Sequence, residues 1–155
     1  MFDEAVSVYR DQLRRRVESD ATKHFRALTT EPDYQSLRIN DNYGLTIIHK
    51  DGSLIPIRSA GAEHVVALCL VGALQNNAPL QGPIIIDSPF GRLDRGHTTN
   101  IVRALPTMAK QVMLLVYEDE LPGGLARNEL KGRLKAEWRL DRRSARHTEL
   151  VQRRD

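Results

Sequence analysis

An aspartate that follows a short apolar run is the residue whose position most directly suggests chemistry. Residues 84–86 are three isoleucines preceded by Gly82-Pro83, which predicts a strand buried on both faces in a parallel sheet, with Asp87 at its carboxyl end. Ligands of open α/β sheets bind beyond the carboxyl ends of the strands, where a carboxylate can hold Mg²⁺ through water beside a nucleotide phosphate. An aspartate that only begins a turn would give the same short pattern.

A second candidate site precedes an apolar helix. Residues 58–63, Arg-Ser-Ala-Gly-Ala-Glu, open a predicted helix that continues to about Asn76 and is apolar almost all round, so we expect it to be central to the fold. Ser59 offers a hydroxyl, Gly61 allows close backbone approach, and the first amides of the helix are unpaired. These features suit a phosphate, although a plain N-cap by Ser59 is the alternative.

The elements around these segments follow from periodicity. A helix is predicted from residue 2 to about 28, because apolar residues recur every three or four positions: Phe2, Val6, Tyr9, Leu13, Val17, Phe25 and Leu28. Its charged faces are expected to meet solvent, and Pro32 prevents its continuation. The helix is either the returning strand of a coiled coil or a helix packed on its own domain, and its length does not decide between them.

Residues 34–57 change to a period of two, which predicts an antiparallel ribbon of about three strands. Asp51-Gly52 between two alternating runs is a strong hairpin signal, and His49 beside it is interpreted as a strand surface residue.

Beyond Asp87, a helix is predicted from Asp94 to Leu105, where Pro106 should end it, followed by a strand at residues 112–116. A strand, a helix and a strand at this separation form a βαβ unit with parallel pairing. A short helix at residues 125–131 and edge strands at 136–140 and 149–151 complete the prediction, and the edge strands belong to a basic tail.

Composition sets broad limits. The chain has 155 residues, a formal charge of +3 and one cysteine, Cys69, inside an apolar run, which indicates a core residue in a reducing compartment. We find no apolar h-region and no stretch near ~20 apolar residues, so we expect a soluble protein without a membrane partner. The mild basic bias tolerates nucleic acid as a partner without establishing it.

These weak signals occur in one specific order, and that order resembles the C-terminal half of an ABC-type ATPase head of the SMC-like group. Residues 59–63 resemble the signature motif, residues 84–87 resemble Walker B, and Leu93-Asp94 resembles the D-loop. We call these the signature-like, Walker B-like and D-loop-like segments. Within the group, residues 86–94 and 144–149 are most similar to DndD, the ATPase of bacterial DNA phosphorothioation systems.

The resemblance implies an α/β fold: the C-terminal lobe of a P-loop ATPase head, with a parallel sheet core, an antiparallel ribbon and a long N-terminal helix of coiled-coil type. It divides the chain into a coiled-coil-proximal helix, residues 1–30, and an ATPase lobe, residues 31–155. No G-x-x-x-x-G-K-[ST] sequence occurs in this chain. In the group that the chain resembles, the Walker A motif belongs to the N-terminal lobe, so the resemblance implies that this chain alone is inactive.

The resemblance also implies cofactors, partners and roles. ATP and Mg²⁺ are the cofactors, and two heads form a homodimer that sandwiches ATP. Asp87 would hold Mg²⁺ in its own head, whereas the signature-like residues would bind ATP in trans: Ser59, Ala60, Gly61 and Glu63. The other implied partners are the N-terminal lobe, DNA and further subunits of a DNA-modification system, which suggests a cytoplasmic, nucleoid-associated protein.

Two departures from the group bear on hydrolysis. The glutamate that usually follows the Walker B aspartate is replaced by Ser88, and a serine hydroxyl cannot act as a general base near neutral pH. Tyr117 stands where the group usually has a histidine, and Glu118 and Asp119 follow it. The catalytic candidates are therefore Asp87, Ser88, Tyr117 and Glu118.

Two other functions fit the sequence. A basic nucleic-acid-binding module would leave Asp87 purely structural, and its affinity would fall steeply with salt. A nucleotide-gated dimerisation head without turnover would explain the departures at Ser88 and Tyr117.

Overall fold

The structure, a computed structural model, describes residues 2–57 and 59–153, so Arg58 lies outside the described residues. The helices are α1 (Phe2–Leu28), α2 (Ala60–Asn77), α3 (Arg95–Met108) and α4 (Leu125–Leu130), with a 3₁₀ turn at Lys131–Arg133. The strands are β1 (Tyr34–Ile39), β2 (Leu45–His49), β3 (Leu54–Ile55), β4 (Ile84–Asp87), β5 (Val112–Leu115), β6 (Trp138–Ser144) and β7 (His147–Gln152).

Only the second half of α1 is packed against the domain. Val17, Ala21, Phe25 and Leu28 are buried on α2 and β1. The first members of the predicted apolar stripe are exposed, with Phe2 at 82% and Tyr9 at 65%. The helix prediction is confirmed, and the exposed stripe shows that its first turns project from the domain.

The polar face of α1 is bound to the ribbon, so the expectation that the charged faces of this helix meet solvent is wrong in part. Thr22 Oγ1 lies 3.1 Å from the backbone N of Leu37 and 3.2 Å from its O, accepting from one and donating to the other. Glu18 accepts from the Ile39 amide at 2.6 Å, and Arg14 donates to the Ile39 carbonyl at 2.6 Å. Residues spaced by four on α1 thereby bond to the edge of β1 that is paired with no described strand.

Because α1 is attached to β1 in this way, we expect Thr22→Val to destabilise the fold. Valine preserves the shape of the threonine side chain and removes both hydrogen bonds to Leu37. We expect the free energy of unfolding to fall by about 1–3 kcal/mol, because the part-buried Leu37 amide and carbonyl lose their partner. The control is Thr99→Val, since the Thr99 hydroxyl, within the described part of the chain, donates only to the Arg95 carbonyl of its own helix α3. Equal losses for the two variants in urea denaturation would contradict the role assigned to Thr22.

The ribbon is a three-stranded antiparallel sheet in the order β1-β2-β3, as predicted. Leu37, Ile39 and Ile47 face the core, whereas His49 is part-exposed beside the turn and lies 3.0 Å from Asp51. His49 is thus a strand residue next to a turn, in agreement with its interpretation.

Strands β4 and β5 pair in parallel with Ile84 opposite Val112, which confirms the βαβ unit. The sheet is covered on one face only: Ile84 is 8% exposed, whereas Ile85 is 62% and Met113 49% exposed. The prediction that β4 is buried on both faces is therefore wrong for this chain. The reason is that the described residues supply packing for only one side of the strand pair.

Helix α3 continues through Pro106 to Met108, so the predicted end at Leu105 is wrong. A proline in the last turn removes one backbone hydrogen bond, because it has no N–H group. Met108 is fully buried, and its burial favours the extra turn. The central helix α2 is confirmed, and it buries Cys69, whose pKa is raised to about 12 by desolvation. Cys69 is thus a core residue, as expected.

The tail forms a hairpin longer than the two short edge strands predicted for it. β6 and β7 pair with each other and with no other described strand, and Trp138, Leu140 and Leu150 on this hairpin are exposed. Across the described part of the chain, no helix combines the length and apolar character that a membrane span requires.

Candidate functional site

The Walker B-like segment ends in a locally strained backbone. Asp87 is the last residue of β4, and the Ser88 amide donates to the Leu115 carbonyl at 2.9 Å, which ties this end to β5. Ser88 has a φ of 48°, a left-handed conformation that non-glycine residues seldom adopt. Each residue held in such a conformation destabilises the fold by on the order of 1–3 kcal/mol, and such residues cluster at functional sites. The Asp87 side chain is exposed and has no hydrogen-bond partner among the described residues.

The chain then turns back into the core and reaches the D-loop-like segment. Phe90 is 2% exposed, and the Leu93 amide donates to its carbonyl at 3.0 Å, while Leu93 packs against the core. These contacts fix where Asp94 starts α3.

Asp94 is the N-cap of α3. One carboxylate oxygen accepts the His97 amide at 2.9 Å, and this bond is the main cause that lowers the pKa of Asp94. The other carboxylate oxygen lies 2.7 Å from Nδ1 of His97, whose Nε2 is 3.1 Å from Thr30 Oγ1. The D-loop-like segment is thereby connected to the end of α1, and His97 was not identified from the sequence.

The signature-like segment adjoins the D-loop-like segment. Ser59 caps α2 by accepting the Ala62 amide at 3.1 Å, which agrees with the N-cap interpretation of Ser59. A Cβ added to Gly61 would lie 3.5 Å from the Arg92 carbonyl. Ala60 and Glu63 are exposed on the first turn.

A cavity of about 210 Å³ lies where these two segments meet the end of α1. It is lined by Phe25, Thr29, Glu31, Tyr34, Ser59, Gly61, Ala62, Val65, Arg92, Leu93, Asp94 and His97. The structure therefore brings Ser59 and Gly61 together with Leu93 and Asp94. Asp87, Ser88, Tyr117 and Glu118 do not line this cavity.

The residues after β5 differ in their surroundings. Tyr117 is 70% exposed, and the Glu118 carboxylate, 86% exposed, forms an ion pair with Arg153 at 3.1 Å. Glu120 instead folds back, and its carboxylate accepts the Tyr117 amide at 3.3 Å. Asp87 ends β4 and Tyr117 lies just beyond the end of β5, so both lie at the carboxyl edge of this strand pair, as predicted. The ion pair between Glu118 and Arg153 was not predicted, because it joins residues 35 apart in sequence.

The residues at this edge fit a weakly held Mg²⁺ and do not form a closed metal cage. The described residues contain no group of three or more His, Cys, Asp or Glu side chains arranged to hold a metal. Mg²⁺ commonly keeps several waters and takes one or two carboxylates together with substrate phosphates. The unpartnered Asp87 carboxylate could supply that single ligand, and the remaining positions would belong to water and phosphate oxygens.

Known proteins resemble this chain in sequence and in fold. No family model matches it. It is 27% identical over 135 residues to a DNA double-strand break repair Rad50 ATPase of Halobacterium salinarum, in an alignment covering 78% of this chain and 15% of that protein. The chain thus spans about a seventh of the length of this relative.

Solved structures of SMC heads share the fold. The Smc head domain with a coiled coil and joint from Pyrococcus yayanosii superposes with a TM-score of 0.68 at 17% identity, covering 97% of this chain and 29% of that one. A chain from a study of ATP-driven dimerization and DNA-stimulated activation of SMC ATPases gives 0.66 at 17% identity, covering 96% and 89%. The chain has the α/β fold of an SMC-like ATPase head, including its long N-terminal helix.

Proposed function

We propose that this chain is the C-terminal half of an SMC-like ATPase head that binds and hydrolyses ATP across a head–head dimer to drive DNA transactions. The observation that carries the proposal is an unpartnered Asp87 carboxylate at the carboxyl edge of a parallel strand pair, within a chain of SMC-head fold. In this proposal Asp87 holds Mg²⁺ in its own head. Ser59 and Gly61 contact the γ-phosphate of ATP seated on the partner head.

The N-terminal lobe is the first proposed partner. Ile85, Met113 and Leu115 form an exposed apolar face of the β4–β5 pair, and exposed apolar patches commonly mark sites of protein–protein contact. Coverage of this face by a lobe that also supplies Walker A would complete both the core and the nucleotide site. The small share of the Rad50 relative that the chain spans agrees with a head built from separated segments.

A finer proposal concerns the pathway. Residues 86–94 and 144–149 resemble DndD, and we propose a role in DNA phosphorothioate modification or linked restriction, with further modification subunits as partners. The same proposal places the protein in the cytoplasm, in association with the nucleoid.

The two alternatives differ in support. The basic tail supports nucleic-acid binding less than its composition suggests, because several of its arginines already form ion pairs within the chain. Arg139 pairs with Asp141, Arg143 with Glu149 and Arg153 with Glu137. Of these two alternatives, a nucleotide-gated dimerisation head without turnover is the better supported. Ser88 cannot act as a base, and Glu118 is already paired with an arginine.

Calorimetry with ATP tests the proposal. We expect this chain alone to show neither micromolar ATP binding nor hydrolysis, because Walker A supplies most phosphate contacts. Adding an N-terminal lobe that carries Walker A should restore ATP binding. In that combination, an Asp87→Asn variant of this chain should make ATP binding depend less on Mg²⁺. Micromolar binding of ATP by the isolated chain would contradict the proposal.

A further inference from the structure

Three acidic residues follow Tyr117, and among them Glu120 turns toward Gly91, in the turn after the Walker B-like segment. Glu118 points to Arg153 near the C-terminal end of the described chain, and Asp119 is exposed. Glu120 is half-buried, and its backbone and side chain both return to Tyr117: its amide donates to the Tyr117 carbonyl at 3.2 Å, and its carboxylate accepts the Tyr117 amide at 3.3 Å. The segment from Tyr117 to Glu120 is therefore a closed turn.

The second carboxylate oxygen of Glu120 lies directly over Gly91. A Cβ placed on Gly91 would be 2.9 Å from this oxygen. Among the described residues other than the two chain neighbours of Gly91, the next nearest atom would be the carboxyl carbon of Glu120 at 3.9 Å. Gly91 is not among the residues with positive φ. Glycine at position 91 thus leaves the space that the Glu120 carboxylate occupies, and its conformational freedom is not needed.

Gly91 belongs to the turn that joins Asp87 and Ser88 to the D-loop-like segment. Phe90, its neighbour, is anchored in the core, so the turn is a firm support for a side chain resting on it. Glu120 connects this support to Tyr117, and through it to Glu118. The Glu120 side chain thereby spans the space between the turn at Gly91 and the Tyr117–Glu118 segment.

We propose that Glu120 is a positioning residue for ATP hydrolysis, which fixes the Tyr117–Glu118 segment against the turn at Gly91. This inference rests on the proposed ATPase function and adds a residue to it. Glu120 acts through the placement of its neighbours, and no contact between Glu120 and nucleotide is required.

Gly91→Ala is the sharpest test, because it displaces Glu120 without changing any charge. The obstructing atom is the end of a flexible side chain, so the alanine should fit and the melting temperature should stay unchanged. In the complete ATPase we expect KM for ATP to be unchanged and kcat to fall about tenfold, the loss expected for one misplaced charge-assisted hydrogen bond. Glu120→Ala should lower kcat equally, and Glu120→Gln, which keeps an acceptor for the Tyr117 amide, should retain most of it.

A double variant separates this role from a general loss of packing. In the Glu120→Ala variant there is no carboxylate for Gly91→Ala to displace. The double variant should therefore lower kcat no further than either single variant. Gly123→Ala is the matched control, because a Cβ there would meet nothing within 4 Å.

Amide exchange at Tyr117 provides a readout independent of turnover. We expect exchange in this chain to be accelerated by Gly91→Ala and by Glu120→Ala, and to be unaffected by Gly123→Ala. Unchanged exchange in the first two variants, or wild-type kcat in an active complete protein, would overturn the role of Glu120 alone. Absence of turnover in the complete wild-type protein would instead overturn the ATPase proposal itself.

Discussion

Replacing Ser59 with arginine is expected to abolish ATP-dependent association of two complete heads while leaving nucleotide binding by each head intact. In the proposed arrangement Ser59 approaches the γ-phosphate of the partner head, and a bulky cation would occupy that position. Ser59 is exposed at the start of α2, so arginine can be accommodated within its own head. Light scattering with ATP measures the association, and a persistent ATP-induced dimer would show that the signature-like assignment is wrong.

Two controls separate the dimer contact from the helix cap. Ser59 also caps α2, and loss of such a cap typically costs about 0.5–2 kcal/mol of stability. Ser59→Ala removes the cap without adding bulk, so it should lower stability as Ser59→Arg does but weaken association less. Gly61→Ala adds a methyl group only 3.5 Å from the Arg92 carbonyl, an ordinary contact within the head. It should leave the isolated head stable and still impair association, because the backbone could no longer approach the phosphate closely.

The sequence was most informative where structure depends on local pattern. Apolar periodicity predicted α1 and α2, and Asp-Gly predicted the hairpin between β2 and β3. The sequence was less informative about burial, which depends on what packs against a strand as well as on the residues of the strand itself. Three consecutive isoleucines indicate burial on both faces, but the described chain covers only one face of β4. Coverage of the bare side of Ile85 by the proposed N-terminal lobe would account for the run.

The same distinction applies to the candidate site. The caps at Ser59 and Asp94 are local, since each bonds an amide three residues ahead, and the sequence suggests such contacts directly. The bonds from α1 to β1 and from Arg153 to Glu118 join distant parts of the chain. A charged residue on a helix gives no sign of whether it faces water or the edge of a strand. These contacts therefore needed the folded structure.

Ser88→Glu is expected to slow steady-state phosphate release by the complete protein in the presence of DNA. The hypothesis is that Glu118, or failing that Asp119, has taken over activation of the attacking water, since Ser88 cannot. A glutamate at 88 would then face a second carboxylate across the ends of β4 and β5, and like charges at close range raise each other's pKa and disturb a general base. Under this hypothesis Glu118→Gln should lower turnover by roughly 10²–10⁴-fold, the effect of losing a general base.

The backbone at Ser88 calls for a control that separates charge from strain. Ser88 has a φ of 48°, which a glutamate adopts with difficulty and a glycine adopts freely, so Ser88→Glu could slow turnover by shifting Asp87. Ser88→Gln carries the same bulk and strain without the charge, and should retain more activity if repulsion is the cause. Ser88→Gly should be stable and active.

The ion pair with Arg153 supplies a further test: Arg153→Gln releases Glu118, and turnover should change in that variant only if Glu118 takes part in the reaction. Wild-type rates of phosphate release in both Glu118→Gln and Asp119→Asn would exclude the takeover and would leave Ser88 as a hydroxyl that positions the water. Absence of phosphate release in the wild-type protein would instead mark a head that only binds nucleotide.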